Sequence, residues 1–166
     1  RISSFSKELC GKFRPGHFKG VVDVIDKFIN IIIPKKIYLG KKDMQQLKIV
    51  EDFVKNKYPQ IKVIGCNTIR EKNGIPYSSR NSLLSLNEIK IASNIFKFIK
   101  KNKKKIINKR ISIKQIKEKI YINGVSKIDY VKILDINKIN KPIIKNKKYQ
   151  IFLAYYLGKV RLIDNI

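Results

Sequence analysis

The sequence predicts an α/β chain in two parts. A parallel sheet flanked by helices is expected over residues 1–69, followed by a smaller α+β domain over residues 70–166. Three observations carry this. Helix-period and strand-like segments alternate in the first part, which is the pattern of strands joined by helical crossovers. Turn and stop signals (Pro34, Gly40, Pro59) separate those segments. Beyond Arg70 the alternation ends, and a run of helix is followed by strand-like segments in succession.

The elements follow in order. Residues 1–16 carry Ser, Gly and Pro and read as a loop leading into a helix. Phe18, Val21, Val22, Ile25, Phe28, Ile29 and Ile32 then recur at helical spacing, forming one wide apolar face, and Pro34 stops the helix. Residues 36–40 read as a strand closed by Gly40. Asp43 can cap a second helix, with Leu47, Val50, Phe53 and Val54 on one face. Tyr58-Pro59 ends it, and residues 61–65 form the next strand. In parallel sheets ligands sit outside the carboxyl ends of the strands, so residues 40–43 and 66–70 are where chemistry is expected.

The second part starts with an aperiodic segment, residues 70–81, containing Asn73-Gly74 and Pro76. Ser85 and Glu88 make a capping box for an amphipathic helix through Ile99. A lysine-rich stretch, a helix near residues 111–121 and a turn at Asn123-Gly124 follow. Residues 128–134, 150–157 and 161–166 are strand-like, with a loop around Pro142.

Composition sets limits. The chain has 166 residues, of which 43% are hydrophobic, enough for a packed core despite 30% charged residues. No apolar run is long enough to span a bilayer, and no membrane partner is expected. Two cysteines, Cys10 and Cys66, make no disulfide framework and are expected as buried apolar residues in a reducing cytoplasm. One histidine and no Cys/His cluster leave no expected metal site. The net charge of +26 points to nucleic acid or an anionic surface. The Ile-, Lys- and Asn-rich composition offers a competing account, drift toward A- and T-rich codons. The lysines are spread along faces and loops, and aromatics do not alternate with them as on a stacking platform. A basic nucleic-acid-binding module is therefore the alternative rather than the leading function.

Four short segments carry candidate chemistry. In Gly40-Lys41-Lys42-Asp43, glycine admits close approach of a nucleotide, Lys42 can meet phosphate, and Asp43 can accept from ribose or simply cap the helix. Gln45 and Gln46 point in different directions from one helical turn, so one can face the strand ends. Ser78-Ser79-Arg80-Asn81 sets two hydroxyls beside a guanidinium, which suits an anion, unless Arg80 pairs with a neighbouring acid. In Arg14-Pro15-Gly16-His17-Phe18, His17 stands at a helix N-terminus, where anions are favoured, or it serves structure alone.

Together these segments resemble a known family. The stretch from Phe13 to Gly20 is similar to the R-P-G-H-F-x-G of the pantothenate synthetases (pantoate–β-alanine ligases). Tyr38 to Leu47 resembles that family's F-G-E-K-D-x-Q-Q-L. Arg70 to Asn81 is similar to its R-E-x-D-G-L-A-x-S-S-R-N, and Arg161 to Asn165 matches its R-L-I-D-N. Three departures stand out: Lys41 replaces a usual Glu, Asn73 a usual Asp, and Pro76-Tyr77 a small or aliphatic pair.

The resemblance implies a Rossmann-like, nucleotidyltransferase-type domain followed by an α+β lid, and a cytoplasmic homodimer. It implies ATP, Mg²⁺, pantoate and β-alanine as partners, with a pantoyl adenylate between the two steps. Gly40 and Asp43 would hold ribose. Lys42 would hold phosphate, with Lys41 beside it. Gln46 would bind pantoate, Ile69 would offer backbone to adenine, and Tyr77 would lie beside it. Ser78, Ser79 and Arg80 would steady the phosphates, while Arg14 and His17 would line the pocket. The family's H-x-G-H element has no counterpart here. The chain is therefore expected to be a C-terminal portion, inactive alone.

Overall fold

The structure, a computed structural model, describes residues 3–139 and 148–166. These fall in two compact units, one of residues 3–67 with 137–139, the other of residues 68–136 with 148–166.

The first unit is helix, strand, helix, strand. Helix α1 covers Leu9–Phe13, α2 His17–Ile32 and α3 Met44–Lys57, with strands β1 Lys36–Gly40 and β2 Lys62–Cys66. The strands pair in parallel, Lys36 opposite Lys62 through Gly40 opposite Cys66. This meets the expected parallel α/β arrangement. Residues 4–13 are not the expected loop: a 3₁₀ turn, Ser4–Lys7, precedes α1. The period there is too short to be legible, because each piece spans little more than one turn.

Ile29, Val50, Val54 and Ile61 form the core of this unit, with Ile25, Ile37, Leu39 and Phe53 packed at its edge. The expected apolar face of α2 is only partly used. Phe18, Val22 and Ile29 are buried, whereas Phe28 is 54% and Ile32 64% exposed. Two strands give α2 too little sheet to cover its whole apolar arc. Cys10 is buried but Cys66 is exposed, correcting the expectation for the second thiol. Cys66 is the last residue of β2, where the strand runs out into solvent.

The second unit carries helices α4, Leu86–Ile107, and α5, Ile113–Ile122, and strands β3 Lys127–Asp135, β4 Tyr149–Leu157 and β5 Val160–Asn165. The sheet is antiparallel in the order β3-β4-β5, with a bulge between Ile128 and Tyr130. This is the α+β character expected of the second part. Both helices start on complete capping boxes, Ser85 with Glu88 and Ser112 with Gln115.

Helix α4 runs two turns beyond Ile99, through the lysine-rich stretch. Ala92, Ile95, Ile99 and Ile106 are all buried on one side, so the apolar face continues beneath the lysines. Lysine is itself a good helix former, and the charged segment is simply the solvated side. Ile116, Ile120, Ile151, Leu153 and Leu157 complete the core from α5 and β4. The loop expected around Pro142 lies outside the described residues.

Candidate active site

The first candidate group stands at the carboxyl end of β1. Gly40 ends the strand, and Lys41–Asp43 form a 3₁₀ turn into α3. Gly40 has φ −70° and ψ 131°, which any residue adopts. A Cβ added there would meet nothing within 4 Å. The fold therefore makes no demand for glycine, and the open space beside its backbone suits close approach of a ligand. Lys41 takes a different course. Its Nζ donates to Asn67 Oδ1 at 2.8 Å, and its stem lies over Gly65, where an added Cβ would come 3.2 Å from Lys41 Cε. This bond joins the chain leaving β1 to the chain leaving β2. Asp43 occupies the N-cap position of α3 but makes no side-chain capping bond, so the capping expectation fails. Its backbone, φ −98° and ψ 57°, comes out of the 3₁₀ turn rather than an extended cap.

The two glutamines divide sharply. Gln45 is 6% exposed. Its Nε2 donates to the carbonyls of Phe5 (2.8 Å) and Glu8 (2.7 Å), and its Oε1 accepts from Cys10 N (3.0 Å). It pins the N-terminal turn and α1 to α3. Gln46 is half-buried and has no such task. Of the pair, Gln46 is the one left for a ligand.

Gly16, at φ 78°, starts α2, and His17 is the first residue of the helix. Arg14 Nη1 donates to His17 Nε2 at 3.0 Å. In that bond Nε2 is the accepting nitrogen, which puts the ring hydrogen on Nδ1. The two side chains named together in the R-P-G-H-F stretch thus form one hydrogen-bonded pair on an exposed surface.

The second candidate group is the 70–81 segment of the second unit. Ile69 is 73% exposed, and its carbonyl accepts from Tyr77 N at 3.1 Å. The oxygen's second lone pair remains. Tyr77 is 61% exposed. Ser78 Oγ accepts from Arg80 N at 3.3 Å and opens a 3₁₀ turn, Ser79–Leu83. Ser79 and Arg80 are exposed, and among the described residues Arg80 makes no ion pair. The nearby acid is taken: Glu71 Oε1 accepts from Asn81 Nδ2 (2.7 Å) and Oε2 from Asn73 Nδ2 (3.1 Å).

These supports went unassigned in the sequence. Asn81 also donates to Pro76 O at 3.1 Å, which holds the Ser78–Arg80 stretch against the turn before it. Asn73 Oδ1 accepts from Ile75 N (2.9 Å), the turn bond an aspartate would also make. The amide of Asn73 adds the donor to Glu71, so this departure from the family pattern keeps the turn. The spacing of Glu71, Asn73 and Asn81 around Gly74 was the available signal.

Among the described residues no helix is long and apolar enough to cross a membrane. Fold and side chains define the class first: an α/β protein presenting basic, hydroxyl and amide groups at a strand end and on an exposed loop, the chemistry of anion handling. The comparisons then name the family. The model of pantoate–β-alanine ligase matches residues 1–166. The chain is 42% identical over 171 residues to pantothenate synthetase of Sulfurihydrogenibium sp. (strain YO3AOP1), covering 99% of this chain and 61% of that protein. It is 39% identical over 174 residues to that of Clostridium botulinum (strain ATCC 19397 / Type A), covering 99% and 60%. Among solved structures it is similar to the Francisella tularensis pantoate–β-alanine ligase complexed with β-γ ATP and β-alanine, with TM-score 0.75, 36% identity and coverage of 98% and 54%. The pantothenate synthetase of Thermus thermophilus superposes with TM-score 0.84 at 26% identity, covering 98% and 60%. The chain belongs to the pantoate–β-alanine ligase family, and it spans about 60% of the length of the curated relatives it matches.

Proposed function

We propose that this chain supplies part of a pantothenate synthetase, an ATP-dependent ligase that joins pantoate to β-alanine. Family membership supports the reaction class. The observation that carries the assignment of residues is Arg80: an exposed guanidinium with no ion pair among the described residues, beside Ser78 and Ser79, on a turn anchored by Glu71 and Asn81.

The chemistry balances in two steps. A carboxylate oxygen of pantoate attacks the α-phosphorus of ATP, and pyrophosphate leaves with the electrons of the broken P–O bond. The β-alanine amine then attacks the acyl carbon of the pantoyl adenylate, loses a proton and expels AMP. The protein's contribution is positioning and charge neutralisation. Lys42 and Arg80 offset phosphate charge, while the hydroxyls of Ser78 and Ser79 donate to phosphate oxygens. The Gly40 backbone and the Asp43 carboxylate take the ribose. Ile69 offers backbone to the adenine, and the exposed ring of Tyr77 lies eight residues on. Gln46 binds pantoate, and Lys41, held by Asn67, keeps the loop after β1 in place. Arg14 and His17 act as a pair.

Among the described residues no group of three His, Cys, Asp or Glu side chains is placed to hold a metal ion. Mg²⁺ is proposed as part of the substrate, carried on the ATP phosphates. Residues 1–69 are proposed as part of the nucleotide-binding domain and residues 70–166 as the lid. A homodimer and a cytoplasmic location belong to the same reading. The nucleic-acid alternative has only the net charge behind it.

The test is assay of the protein expressed from its complete coding sequence, with pantoate, β-alanine and MgATP. One AMP is expected for each pantothenate formed. No pantoate-dependent release of AMP would overturn the assignment.

A further inference from the structure

A groove of about 750 Å³ lies in the second unit, between the turn after Arg70 and one face of α4. It uses none of the residues given a role in the proposed reaction. Lys97, Lys100 and Lys101 line it from the helix, and Lys72 lines it from the turn. The spacing of the helical three, i, i+3 and i+4, puts them on a single face. Like charges so placed disfavour the helix unless something offsets them.

Little on the walls of the groove does, since Glu71 is the one acid among its lining residues. None of the four lysines makes an ion pair among the described residues. The one acid on the rim, Glu71, has both oxygens engaged by Asn81 and Asn73. Arg70 also lines the groove, but its charge is met by Asp164 at 2.7 Å. The groove is therefore basic, with four lysine charges set against the single carboxylate of Glu71.

Its floor narrows the ligand class. Phe96 forms the apolar base, and the Arg70 guanidinium sits 4.4 Å from its ring centroid. A Cβ added to Gly74 would fall 2.3 Å from the same ring, so Gly74 packs directly on it. Lys100 stands 5.5 Å from the centroid. The ring is already occupied and offers no platform for a nucleobase, which disfavours single-stranded nucleic acid. From Lys97 to Lys101 the helix rises about 6 Å, a span that a ligand with several anionic groups in a row matches.

We propose that this groove binds a short phosphate chain, as in inorganic tripolyphosphate or the triphosphate tail of a nucleotide. The chain would lie along Lys97, Lys100 and Lys101 and reach Lys72 across the groove, each ammonium meeting phosphate oxygens by charge-assisted bonds.

The test is titration of tripolyphosphate into the full chain at physiological ionic strength, by calorimetry and by amide chemical shifts. Saturable binding is expected, with shifts centred on Lys72, Gly74 and Lys97. The triple variant K97Q/K100Q/K101Q should weaken it at least about tenfold, because three charge-assisted contacts are lost. The control K114Q/K117Q/K119Q removes the same charge from α5 and should change it less than about threefold, since distant charges are screened. Gln matches Lys in helix propensity, so both variants should fold, and circular dichroism checks this. ATP titrated in parallel identifies the source. Loss with both ligands assigns the groove to a nucleotide's tail as well as the free chain. Loss with tripolyphosphate alone assigns it to the inorganic chain. Equal weakening in the two triples would reduce the effect to bulk charge and overturn the proposal. So would tighter binding of a single-stranded oligonucleotide than of tripolyphosphate at this groove.

Discussion

Arg70 and Asp164 are joined by two parallel hydrogen bonds, Nη1 to Oδ2 at 2.7 Å and Nη2 to Oδ1 at 2.8 Å. The same guanidinium donates to Gly74 O (3.0 Å) and Asn165 O (3.2 Å) and stacks on Phe96. The first and last family motifs of the second unit are thus one structural staple. Removing one partner strands a buried carboxylate. Arg70→Ala should lower stability by about 3–5 kcal/mol in urea unfolding. Arg70→Lys should recover only part, because an ammonium cannot reproduce the fork. An Arg70→Ala loss under about 0.5 kcal/mol, the range of an ordinary surface change, would refute the staple.

Gln45 and Gln46 should separate by readout. Gln45→Ala removes the Gln45 oxygen from the Cys10 amide and one of the hydrogen bonds to each of the Phe5 and Glu8 carbonyls, and should cost about 2 kcal/mol. Gln46→Ala should stay within about 0.5 kcal/mol of the parent. Under the proposed function it should instead raise the KM for pantoate. A Gln45→Ala variant as stable as the parent would remove its structural role.

Much of this was legible in the sequence, and the reasons differ by segment. The apolar period of residues 44–57 and the capping box at Ser85 and Glu88 are local signals, and the helices start where those signals lie. The 3₁₀ turns were not legible, since three to five residues carry no period. The length of α4 was hidden because lysines mask an apolar face that resumes at Ile106. In the candidate site the motif residues could be named, but their division of labour could not. Gln45 and Gln46 are chemically identical neighbours, and only the packing of α1 on α3 tells them apart. The Arg70–Asp164 pair spans 94 positions, a separation that no local pattern reveals.

Asp26 gives the first unit an acid-sensitive tie. Its carboxylate accepts from Lys57 Nζ at 2.8 Å and from Tyr58 Oη at 2.6 Å. The Lys57 bond, then the Tyr58 bond, holds its pKa below the usual 3.8. A carboxyl depressed in the folded state stabilises fully above its unfolded value, and that contribution is lost as pH falls through the folded value. Urea midpoints should therefore drop more steeply below about pH 4 in the parent than in Asp26→Asn. Parallel curves would show that the tie contributes nothing.

Arg80 is exposed and unpaired among the described residues, so its role should be chemical rather than structural. Arg80→Ala should leave the melting temperature unchanged and lower the adenylation rate by about 10²–10³-fold, the usual loss for a group that stabilises developing charge. Arg80→Lys should be intermediate. A fall in stability matching the fall in rate would contradict this.

The most direct test of the central claim is exchange of labelled pyrophosphate into ATP by the protein expressed from its complete coding sequence. Exchange should require pantoate and proceed without β-alanine, because the adenylate forms and reverses before the amine is needed. Adding β-alanine should divert the intermediate to AMP and pantothenate. No exchange in the presence of pantoate, or exchange supported by β-alanine alone, would contradict the account.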